Sequence, residues 1–139
     1  MDDRTRDMVL AASAVIAVQA VGAVVSVANR WPAQFGGPGD PDAVAIEIMT
    51  RGGPFTAPFP LLAIYSIAVA GSMRPGTPGK VSSAIVAAVS GVFVVGFAGE
   101  ALSPFTGQVP RWALWTGALV GTPLSAFAGA LAVRRIRRR

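Results

Sequence analysis

Glu100, Gln19, Arg51 and Arg111 are the side chains in this sequence whose type and setting could support chemistry at membrane depth. Glu100 is the one carboxylate within a long apolar run, Val81 to Leu102. In the last turn of a helix it would face the negative end of the helix dipole, so it calls for a cation or a proton. Arg51 and Arg111 flank the same side of the run and are the expected partners. A carboxylate at that position either handles an ion or substrate, or forms a structural ion pair near the interface. Gln19 sits near the middle of another apolar run. Its amide cannot stay unsatisfied in hydrocarbon, so it should hydrogen-bond across helices, as glue or as part of a polar pathway.

The absences are as informative. The chain has no histidine and no cysteine. That excludes disulfides, thiol redox chemistry, imidazole metal sites, histidine-ligated haem and a histidine base. There is no phosphate-cradling glycine loop, no nucleophile elbow and no paired-carboxylate arrangement of the catalytic kind. The scattered serines and Tyr65 have no base near them in sequence. The expectation is a protein that is not an enzyme, with no cofactor and no metal.

The elements that must carry these residues are apolar helices. Of the 139 residues, 53% are hydrophobic and 14% charged, where a soluble domain carries about a quarter charged. A hydrocarbon core of roughly 30 Å needs about 20 apolar residues in a helix. Residues 8–28, 81–102 and 112–133 meet that. A fourth run is shorter and entered through Pro54, Pro58 and Pro60; it is set at 55–73. The expected fold is an all-α membrane protein, a single domain over residues 1–139 built as a bundle of four transmembrane helices. Residues 29–54 form the one sizeable loop, and 134–139 a basic tail.

Nine of the 12 lysines and arginines fall at the N-terminus, in the loop after the second span and in the tail. Arg30, Arg51 and Arg111 fall on the other side. By the positive-inside rule both termini are cytoplasmic, and the protein belongs to an inner membrane. Its arginine-dominated, Ala/Val/Gly-rich composition is associated with bacterial genomes. The competing reading of the first span is a signal peptide cleaved after Ser26-Val27-Ala28. The run is longer than such segments usually are, and Asp2, Asp3 and Asp7 offset its leading arginines.

In the large loop, Arg30-Trp31-Pro32 suits the headgroup level. Asp40 is a plausible N-cap with Pro41 at the first helical position. Val44, Ala45, Ile48 and Met49 share a face, so a short amphipathic helix is expected there, capping the bundle. The chain also echoes itself at a spacing of 50: Pro54-Phe55-Thr56 recurs as Pro104-Phe105-Thr106, Gly71 matches Gly121, and Tyr65 lies opposite Trp115. Two tandem helical hairpins would produce this pattern.

Small residues mark the expected packing faces. Gly117, Gly121, Ser125 and Gly129 recur at every fourth position, and Gly91 and Gly99 sit in the preceding span. Such stripes let helix backbones approach closely, within one chain or between copies. Pro123 should kink the last span. Arg134, Arg135, Arg137, Arg138 and Arg139 are expected to anchor the tail to anionic lipid. The cluster is too short, and too poor in interleaved aromatics, for nucleic-acid binding.

The polar Asn and Phe-rich segments of fluoride channels are missing. So is the first-span glutamate of small multidrug transporters, where this chain has Gln19. The expected function is therefore a non-enzymatic subunit of a larger membrane assembly or an oligomeric membrane component, with the lipid bilayer and a second copy or larger membrane protein as partners. The alternatives are a small oligomeric transporter or channel using Glu100, and a holin-like lysis protein.

Overall fold

The computed structural model describes residues 2–104 and 107–137. It is all-helical, with α1 (Asp3–Ala28), α2 (Val44–Thr50), α3 (Phe59–Ser72), α4 (Gly76–Leu102) and α5 (Arg111–Ile136). Three of these, α1, α4 and α5, are long and apolar enough to cross a membrane. Each is about 40 Å long at 1.5 Å per residue. The 14-residue α3 is apolar as well, but at about 21 Å it falls short of a hydrocarbon core of roughly 30 Å. The four longer helices pack in the cyclic order α1, α3, α4, α5, and α2 rests on α1 and α3. Below, the end of the bundle carrying α2 is called the loop end, and that carrying Arg135 the tail end.

The start of α3 differs from the expected Phe55. Pro58 takes the N-cap and Pro60 falls in the first turn, where its missing N–H is no loss. Upstream, two glycines and two prolines oppose helix formation, so residues 53–58 are not helical. They nevertheless lie inside the protein, with Gly53, Pro54 and Thr56 buried. Two glycines make room for them. A Cβ at Gly22 of α1 would come within 2.5 Å of the Phe55 carbonyl oxygen, and one at Gly117 of α5 within 2.5 Å of the Phe55 ring. The N–H of Ala57 donates to Gln19 Oε1 at 2.7 Å. Gln19 lies roughly 14 Å along α1 from its Ala28 end, so this segment descends well into the bundle.

The short helix also begins later than expected. The Asp40 side chain does not cap it; its Oδ1 accepts from the N–H of Asp42 at 2.8 Å, closing a turn. Ala43 is the N-cap, and α2 is seven residues long. Val44 is buried and Ile48 half-buried, but Ala45 and Met49 are exposed. The inward face is thus narrower than the four-residue face expected.

The main core includes Met8, Val15, Tyr65, Val86, Phe93 and Ala128. The Tyr65 ring lies 5.0 Å from that of Phe93, and its hydroxyl is 3.1 Å from Ser90 Oγ. A buried hydroxyl needs such a partner, because desolvating it unpaired costs on the order of 1–3 kcal/mol. Trp115, the counterpart of Tyr65 in the repeat, is exposed. Phe105 and Thr106 of the second Pro-Phe-Thr lie outside the described residues. α5 remains helical through Pro123.

The small-residue stripe of α5 is used within the chain. A Cβ at Gly121 would approach the Phe97 ring to 2.6 Å, and one at Gly129 the Ser90 Cβ to 3.0 Å. Ser125 is fully buried. On α4, Gly99 faces the Phe35 ring, whereas Gly91 is exposed with nothing near its Cβ position.

Candidate functional site

The polar groups converge at the loop end, around Glu100. The last helical turns of α4 bring this carboxylate beneath residues 32–35, and it is only 6% exposed. Its Oε2 accepts from the N–H of Gln34 at 2.8 Å, and the Phe35 N–H donates to the same carboxylate. Nearby, Ser103 Oγ donates to the Gln34 carbonyl at 2.8 Å. The bonds accepted by the carboxylate are charge-assisted and about twice as strong as neutral ones. They answer the electrostatic problem posed by a carboxylate at a helix C-terminus with backbone donors. Glu100 therefore clasps the loop onto the helix ends.

Gln34 forms the other half of the clasp. It is fully buried, and its Nε2 donates to the Pro32 carbonyl at 3.0 Å and contacts Gln108 Oε1 at 3.4 Å. Nothing in its local sequence marks it, since its partners are 66 and 69 residues away. Trp31 closes over this end, with its ring 6.0 Å from Phe55 and 6.2 Å from Trp112.

Of the two expected arginine partners, Arg51 joins the site. It pairs with Glu47 at 3.5 Å and donates to the Gly37 carbonyl at 2.9 Å. Glu47 in turn accepts from the Asp40 N–H at 2.9 Å. These contacts fold the glycine-rich turn back over α2. Arg111 is exposed at the start of α5 and does not line the site.

A cavity of about 250 Å³ lies directly beneath the clasp. Gln19, Arg51 and Glu100 all line it, so three of the four polar candidates meet there. The rest of its wall is largely apolar, including Leu61 of α3 and Val92, Phe93 and Val95 of α4. Gln19 is fully buried. Its Oε1 is taken by Ala57, and its Nε2 is buried without a hydrogen-bond partner. The amide orientation is fixed chemically, because reversing it would set a donor against the Ala57 N–H.

The tail end holds a second polar node. Arg135 donates to Thr5 Oγ1 at 2.8 Å, to the Gly79 carbonyl and Ser83 Oγ at 2.6 Å each, and to the Arg74 carbonyl at 3.2 Å. It ties α1, the α3–α4 turn and α4 to α5. Arg134 and Arg137 are exposed; Arg138 and Arg139 lie outside the described residues. Among the described residues, no cluster of acidic side chains could hold a metal ion.

Comparison with protein families, curated proteins and solved structures finds no match.

Proposed function

We propose that this protein is a four-span component of a bacterial inner membrane, with both termini cytoplasmic, acting without catalysis as a subunit or oligomeric element. The observation that carries this reading is the engagement of Glu100. The one carboxylate within the long apolar runs is bound by two loop amides, so its chemistry is used to hold the fold. Four spans follow if α3 crosses together with residues 53–58. Non-helical backbone is tolerated at membrane depth where it is buried in protein, and this segment is buried between α1 and α5. The echo at a spacing of 50 then supports two tandem hairpins, α1 with α3 and α4 with α5. Because the α5 stripe is filled internally, contacts with partners fall on exposed faces such as Ala84, Ala88 and Gly91 of α4.

The test is to extract the protein in mild detergent and measure its mass and companions. An oligomer or a co-purifying membrane protein is expected. A partnerless monomer that conducts or transports alone in liposomes would overturn the proposal. One observation favours a second reading, a small oligomeric transporter: Gln19, Arg51 and Glu100 share a cavity. In that case Glu100→Gln abolishes or reshapes flux in liposomes, and unchanged flux removes the glutamate from the mechanism.

A further inference from the structure

At the tail end, the seam between α3 and α4 opens into a groove of about 450 Å³ that shares no residue with the cavity beneath the clasp. Small residues set its floor: Ala68 is buried, and a Cβ at Gly71 would come within 2.5 Å of Ser82 Oγ. Ile64, Ile67 and Ile85 form its walls and are 51%, 73% and 39% exposed. The groove therefore opens outward, onto acyl chains if these helices cross a bilayer. Ile67 and Ile64 lie roughly 8 and 12 Å along α3 from its Ser72 end. Arg74 lines the groove just beyond that end, and its carbonyl accepts from Arg135. Exposed Arg134 and Arg137 belong to the same end. The groove thus has a cation at headgroup depth and apolar walls descending below it. Among the described residues, the Arg74 guanidinium has no acidic partner. Asp3 and Asp7 of this end pair with Arg6, and residues 51–99 contain no aspartate or glutamate.

We infer that the groove holds one anionic glycerophospholipid, its phosphate against the Arg74 guanidinium and one acyl chain along Ile67, Ile64 and Ile85. Charge complementarity selects this occupant, because a cation without an acidic partner at the interface attracts an anionic headgroup. The site rests on the bilayer reading of the helices, but not on the subunit role. A chain that cannot enter a bilayer would refute both readings, whereas one that enters without a lipid preference would refute the site alone.

The test is native mass spectrometry of the full chain, released from nanodiscs containing equal amounts of phosphatidylglycerol and phosphatidylcholine with identical acyl chains. The wild-type chain should retain one phosphatidylglycerol, favoured over phosphatidylcholine about fivefold, the equivalent of ~1 kcal/mol for one cation near the surface. Arg74→Gln leaves the backbone carbonyl in place for Arg135 and should abolish the preference, whereas Arg74→Lys and Arg134→Gln should keep it. Ala70 is exposed at the rim of the groove; Ala70→Trp should fill the groove and displace the lipid while the helices remain packed. Equal retention of the two lipids by the wild type would overturn the proposal. So would a preference that survives Arg74→Gln or falls equally in Arg134→Gln, and so would undiminished lipid binding by Ala70→Trp. A dimer holding no lipid would put a second copy in the groove and overturn it as well.

Discussion

Replacing Glu100 separates a structural clasp from a transport residue. In Glu100→Ala, the N–H groups of Gln34 and Phe35 lose their acceptor in a buried setting. A hydrogen bond to a charged group contributes about 1.5–3 kcal/mol, so two give an upper figure near 3–6 kcal/mol. Burying the carboxylate itself offsets part of this. The net loss should be about 2–4 kcal/mol, concentrated in residues 29–37. Glu100→Gln keeps a carbonyl oxygen facing the same amides and loses only the charge assistance, for about 1 kcal/mol. Amide hydrogen exchange in detergent or nanodiscs reads the effect locally. In Glu100→Ala, Gln34 and Phe35 should exchange at least about tenfold faster, since 1.4 kcal/mol is a factor of ten. Glu100→Gln should fall between it and the wild type, and helical amides near Val15 should change little. Unaltered exchange at Gln34 and Phe35 in Glu100→Ala would refute the clasp.

Gly121→Leu should lower stability by about 1–3 kcal/mol, because its side chain meets the Phe97 ring. Gly91→Ala, in open space, should be neutral or gain up to about 1 kcal/mol from helix propensity; thermal unfolding in one detergent compares the two. Arg135→Ala removes four hydrogen-bonding contacts at the tail end and should cost about 2 kcal/mol. Exposed Arg134→Ala should stay within about 0.5 kcal/mol, measurable as a difference in unfolding midpoint.

Helical content and the three long apolar helices were legible because burial in lipid demands a continuous run of apolar residues, which local sequence records. Gln19 stood out for the same reason: an amide in such a run must find a partner. Its actual partner, the Ala57 N–H, was hidden because Pro54 and Pro58 mark a break in helix without saying whether the broken segment is inside or outside. The expected helical start at Phe55 fails on this point. Glu100 was visible as an isolated carboxylate, but arginine was the expected answer to its charge. Two backbone amides are the larger part of it, and every residue has a backbone amide, so no side-chain pattern could single them out. Gln34, one loop residue among many in the sequence, shows the same blindness from the other side. Arg135 was hidden within a run of arginines that look alike in sequence, although among the described ones its guanidinium bridges four segments.

The crossing of α3 is tested most directly by labelling from one side of the membrane. The chain has no cysteine, so single cysteines can be introduced at exposed Thr50, Thr77, Gly107 and Arg137 and probed in intact cells with a membrane-impermeant maleimide. In a four-span protein with cytoplasmic termini, Thr50→Cys and Gly107→Cys label from outside, while Thr77→Cys and Arg137→Cys label only after permeabilisation. Labelling of Thr50→Cys and Thr77→Cys from the same side would show that α3 does not cross, and would contradict the four-span architecture.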